Sequence, residues 1–114
     1  MSFDDLVNRL ETVPFDELRK KYQGYIEIVM QTPNLPKIYP VLENFFGIPF
    51  KPAGIAPSRE AEDYTKRYGG IQKNQTLYFK KEGLTAHCAM IWPWADGTRA
   101  TIKIAQGALE EKAR

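Results

Sequence analysis

Apolar residues recur at helical spacing from the first turn of the chain. Phe3, Leu6, Val7 and Leu10 mark one face of a helix. Ser2 and Asp5 supply the hydroxyl and carboxylate of a capping pair ahead of it. Phe15, Leu18 and Tyr22 continue the spacing, which predicts a second helix opened by Pro14 and closed at Gly24. Asp16-Glu17 would then sit at its start and Arg19-Lys20-Lys21 at its end, as the helix dipole favours. On this reading the basic run is a solvated helix end.

Tyr25 to Gln31 alternates as a strand, with Ile26, Ile28 and Met30 on one face and Tyr25, Glu27 and Val29 on the other. After a Pro-rich turn, Ile38, Val41, Leu42 and Phe45 predict a third helix ending at Gly47. Pro40 implies either a kink or a regular start at that residue, after a looser turn. Residues 48–57 hold three prolines and a glycine, yet also Ile48, Phe50 and Ile55, and so read as an ordered loop against the core. Ser58 caps a fourth helix, Arg59 to Tyr68, closed by Gly69-Gly70.

The last third predicts a meander of strands near residues 76–80, 84–92 and 98–105, with turns at Lys81-Glu82-Gly83 and Ala95-Asp96-Gly97. The expected fold is α+β: a mainly antiparallel four-stranded sheet (25–31 and the 76–105 meander) with helices packed on one face. One domain over 1–107 is expected, followed by a short tail over 108–114.

Strand parity also bears on the chemistry. The only histidine and the only cysteine are neighbours in Thr85-Ala86-His87-Cys88-Ala89-Met90-Ile91-Trp92-Pro93-Trp94. Adjacent strand side chains point to opposite faces, so His87 and Cys88 do not form a catalytic dyad without a bulge. Leu84, Ala86, Cys88, Met90 and Trp92 form an apolar row, expected to join Leu77, Phe79, Ala100, Ile102 and Ile104 in the core. The opposite row reads Thr76, Tyr78, Lys80, then Thr85, His87, Ala89, then Arg99, Thr101, Lys103. This describes an open, solvated face carrying cations and an aromatic ring. Trp94, beyond Pro93 at the strand end, is expected to be exposed as an anchor for another chain. The candidate ligand- or partner-binding residues are therefore Tyr78, His87, Arg99, Thr101, Lys103 and Trp94.

Composition narrows the reading. The 43% hydrophobic and 26% charged residues among 114 are those of an ordinary globular chain. One cysteine excludes an internal disulfide and fits a reducing compartment, so a cytoplasmic location is expected. No apolar run is long enough to span a membrane, and no phosphate-binding glycine loop or metal-ligand spacing is present. Net charge is only +2, but residues 1–18 are acidic. Residues 64–107 carry Lys66, Arg67, Lys73, Lys80, Lys81, Arg99 and Lys103 against Glu82 and Asp96. That asymmetry admits an anionic partner.

No family signature is legible. The favoured function is a small non-catalytic binding or protein-interaction module, using the exposed face or the Trp-bearing end of its sheet for self-association or a protein partner. An alternative is a small-molecule-binding protein or enzyme, with an anionic or aromatic ligand held between loop 48–57 and the sheet. Nucleic-acid binding on a basic sheet face is a further alternative, disfavoured because the helix-strand order and aromatic signature of an RRM are missing. No cofactor, metal or catalytic residue is expected.

Overall fold

A computed structural model describes residues 1–108; the expected tail lies, beyond Ala108, outside the described residues. Helix α1 (Phe3–Glu11) is followed by strands β1 (Glu17–Tyr22) and β2 (Tyr25–Gln31), a 3-10 turn (Thr32–Lys37) and helix α2 (Tyr39–Phe46). Helix α3 (Arg59–Thr65), continued by a 3-10 turn, leads to β3 (Thr76–Glu82), β4 (Thr85–Pro93) and β5 (Arg99–Ala108). The class is α+β, but the sheet has five strands, not four, in the order β1-β2-β5-β4-β3. Every pairing is antiparallel.

The added strand is the segment expected to be a second helix. Glu17–Tyr22 buries none of its side chains, so its apolar spacing has no core to meet. What decides its state is the two-residue turn Gln23-Gly24, with Gly24 at φ +80°, which folds Tyr22 back against Tyr25. Gly24 also accepts a backbone hydrogen bond from Gln106, and a Cβ there would meet the Gln106 carbonyl at 3.0 Å.

Elsewhere the local signals act as expected. Ser2 and Asp5 exchange reciprocal hydrogen bonds of 3.1 Å at the start of α1. Regular helix resumes at Tyr39 with Pro40 inside the first turn, where its missing N–H costs nothing.

Helices cover both faces of the sheet, not one. On the first face, Phe3, Leu6, Leu10, Leu42 and Phe45 of α1 and α2 pack on Ile26, Ile28 and Met30, Ala100, Ile102 and Ile104, and Ala89 and Ile91. On the second face, Ala61 of α3 and Ile71 pack on Leu77, Cys88 and Met90.

The register of β5 corrects the expected rows. Ala89 pairs with Ile104 and Cys88 with Ala105, so Ile102 and Ile104 share the face of His87. Arg99, Thr101 and Lys103 share that of Cys88.

Loop 48–57 is held to the outer edge of β3. Lys51 and Leu77 exchange backbone hydrogen bonds of 3.1 and 2.9 Å. The Lys51 ammonium is buried and donates to the carbonyls of Gln72, Lys73 and Gln75 at 2.7, 2.7 and 2.5 Å. All three of its protons are thereby matched. Phe50 lies against Tyr64 and Phe79, which stack at 3.8 Å, so aromatic rings occupy the space between loop and sheet.

Candidate functional site

The six residues singled out in the sequence are divided by the sheet. Tyr78 and His87 are on the first face, 2% and 3% exposed, so the open face expected for them is covered by α1 and α2. Phe46 lies beside Tyr78. Phe3 stacks on the His87 ring at 5.8 Å, and Phe45 meets it edge-on at 5.4 Å. His87 Nε2 lies 2.8 Å from Glu82 Oε1, while the buried Nδ1 has no partner among the described residues. His87 and Cys88 project to opposite faces. Burial pushes the Cys88 thiol up to about 12, so it is not a thiolate at neutral pH.

Arg99, Thr101 and Lys103 share the second face, where Trp94 meets Arg99 and Thr101. The turn between β4 and β5 is closed by Trp94 N–H to Arg99 O and Gly97 N–H to Trp94 O. It brings the Trp94 indole back over β5, where Nε1–H donates to Thr101 Oγ1 at 3.0 Å. Two guanidinium groups lie against the same ring, Arg99 at 5.6 Å and Arg19 at 5.8 Å from its centroid. Arg99 Nε donates to Asp16 Oδ2 at 2.7 Å, and Arg19 Nε faces Glu17 at 3.4 Å. The terminal Nη groups of Arg19 and Arg99 make no hydrogen bond to any described residue.

Arg19 reaches this site through a register shift. Leu18 pairs with Ile28 and Lys20 with Glu27, leaving Arg19 as the extra residue of a bulge. Nothing in the alternation of the chain announces it, because the segment has no buried side chain to set parity.

One step along β5, Lys103 Nζ sits 3.5 Å from the Trp92 ring centroid and donates to the Tyr68 carbonyl at 2.9 Å. Burial draws its pKa below the ordinary lysine value, opposed by the charge of Glu27 on the neighbouring strand. Glu27 in turn accepts from the Tyr25 phenol at 2.7 Å. Burial first, and then this bond to Glu27, raise the Tyr25 pKa. Tyr22, Tyr25 and Tyr68 form a stacked series at 5.1 and 6.1 Å, and its outer ring, Tyr22, is 64% exposed.

The cover on this part of the sheet differs from that elsewhere. Val29 and its cross-strand partner Thr101 are buried, yet neither belongs to an apolar cluster with a helix. On that face Thr101 is bonded by the Trp94 indole, and Val29 has Glu17 as its β1 partner. Tryptophan and arginine of this kind carry a large share of contact energy where protein surfaces meet. Guanidinium Nη groups suit a carboxylate or phosphate.

Other surfaces offer less. A shallow open groove lined by Met1, Asp5, Asn8, Arg9 and Asn44 lies beside α1 and α2. Among the described residues no group of three or more His, Cys, Asp or Glu side chains is placed to hold a metal ion, and no helix is long and apolar enough to cross a membrane. Comparison with known protein families, with curated proteins and with solved structures finds no match.

Proposed function

We propose that the chain is a small non-catalytic binding module whose contact surface is the second sheet face around Trp94, on β1, β2 and β5. The observation that carries this reading is the convergence of Arg19 and Arg99 on the Trp94 ring above Thr101. Both guanidiniums are oriented by local carboxylates through Nε, and neither donates an Nη hydrogen bond to a described residue. The favoured ligand chemistry is anionic, because the ring faces that would stack a nucleobase already carry cations.

The test is a titration of defined probes followed by tryptophan emission: an acidic peptide, a basic peptide, a single-stranded oligonucleotide and a small aromatic carboxylate. An anionic probe is expected to saturate the signal of the native chain, with affinity falling as salt rises. The Arg19→Glu/Arg99→Glu variant is expected to lose at least tenfold in affinity. If no probe changes the emission, or the variant binds as the native chain does, the reading fails.

A further inference from the structure

The two edges of the sheet are treated differently. The outer edge of β3 is pinned at Leu77 by Lys51, which pairs with it and is locked in turn by three carbonyls. β1, at the other edge, pairs only with β2 among the described residues, and all six of its side chains are exposed. An exposed strand edge is a row of unmatched backbone donors and acceptors. The Arg19 side chain of β1 reaches inward to the Trp94 ring over β5.

Charge identifies what that edge accepts. β1 reads Glu-Leu-Arg-Lys-Lys-Tyr, three consecutive cations against one carboxylate. Lys21 is matched by Glu11 at 2.8 Å on the first face, and Arg19 turns to Trp94 on the second. A second copy of β1 laid along this edge would set cations against cations, which works against pairing between identical chains. An acidic strand would meet the opposite situation, with backbone pairing along β1 and carboxylates beside Arg19 and Lys20. The Tyr22 ring, 64% exposed, lies at the end of that path.

We infer that β1 is a strand-addition site for an extended acidic peptide, which pairs with its outer edge and places carboxylates beside Arg19 and Lys20, at the margin of the Trp94 cluster. This rests on the reading of the second face as the contact surface and supplies its ligand class. Six residues of partner strand match the length of β1. Backbone pairing supplies affinity, and side chains on one face of the added strand supply selectivity.

The probe is a ten-residue peptide alternating Glu and Thr, capped at both ends, so that all glutamates share one face. Two versions are N-methylated, one on the Glu amides and one on the Thr amides. In a paired strand, alternate amides face the same neighbour. One methylated set is therefore expected to lose at least tenfold in affinity while the other binds like the parent. Amide shifts should concentrate in residues 17–22, and a Lys-Thr peptide should not bind. If both methylated sets behave alike, strand addition is overturned, whether or not the peptide binds. If the Arg19→Glu/Arg99→Glu variant, with its amide spectrum otherwise native, binds the parent peptide unchanged, the contact surface itself is wrong. Saturation by an oligonucleotide without binding of the acidic peptide would overturn the ligand class.

Discussion

His87 Nε2 and Glu82 Oε1 lie 2.8 Å apart, joining a buried imidazole to a carboxylate that is half in water. With a carboxylate as acceptor, the neutral ring carries its proton on Nε2. Glu82→Ala would leave that N–H in the apolar space between Phe3 and Phe45. Urea unfolding at pH 8 is expected to show a loss of about 1–2 kcal/mol, with a smaller loss for Glu82→Gln, which keeps an acceptor. An unchanged midpoint for Glu82→Ala would mean the bond adds nothing to stability.

Lys51 should be less replaceable than its loop position suggests. Lys51→Met removes the donor shared by the carbonyls of Gln72, Lys73 and Gln75. A cost of about 2–4 kcal/mol is expected, since bonds to a charged group are the stronger kind. Lys51→Arg should not restore stability, because a planar fork cannot replace a compact ammonium among three acceptors. Limited proteolysis should then open the chain within residues 48–57. Native resistance in Lys51→Met would contradict this account.

Gly69 is expected to tolerate no side chain. Its φ is +104°, and a Cβ would meet Trp92 Cη2 at 2.7 Å and Lys103 Nζ at 3.4 Å. Gly69→Ala should lower stability by about 1–3 kcal/mol through backbone strain and overpacking. Because it presses on the Trp92–Lys103 pair, it should also shift tryptophan emission in the folded state. A variant with native stability and native emission would show that the contact has room to relax.

Alkaline pH should loosen the fold. Burial pushes the Cys88 thiol up to about 12 and raises Tyr25, Tyr68 and Tyr78 as well. In each case the folded chain holds a proton that the unfolded chain releases first. The stabilisation is therefore complete below the unfolded values, near 9 for the thiol and 10 for the phenols, and is lost as pH rises through the folded ones. Thermal unfolding is expected to be level from about pH 7 to 9 and to fall above that, less steeply for Cys88→Ala. Iodoacetamide should leave the native thiol intact at pH 8; rapid labelling there would refute the burial.

Much of the α+β arrangement is legible in the chain because its signals are local. The Ser2–Asp5 cap, the apolar stripe of α1, the alternation of β2 and the Gly83 turn each act within a few residues. Two features escaped for physical reasons. Phe15, Leu18 and Tyr22 repeat at helical spacing, but Phe15 packs on the first core from ahead of β1 while Leu18 and Tyr22 stay exposed, so the spacing marks no single buried face. Gly24 is a left-handed residue either way, and left-handed glycine ends helices and turns hairpins alike.

The divided site has a different cause. In a strand covered on both faces, both rows are apolar enough to be core. Alternation along β4 therefore says which residues share a face, but not which row of β5 joins them; the turn through Trp94 and Gly97 sets that register. His87 reads as exposed because the Phe3 and Phe45 rings that enclose it are distant in sequence. Arg99, Thr101 and Lys103 were legible as one row of β5, but the return of Trp94 over that row was not, and Arg19 depended on a bulge that leaves no trace in the pattern of residues.

The central place of β5 also imposes an order of assembly. β1 with β2, and β3 with β4, are hairpins that close over short stretches of chain. Neither touches the other in the sheet until Arg99–Ala108 enters between them. Until Arg99–Ala108 has left the ribosome the two hairpins therefore share no strand, and only the packing of α1 and α2 on His87 and Tyr78 can link them. The strand that carries Arg99, Thr101 and Lys103 is thus also the one that joins them, and the cluster around Trp94 comes into being only in that closing step.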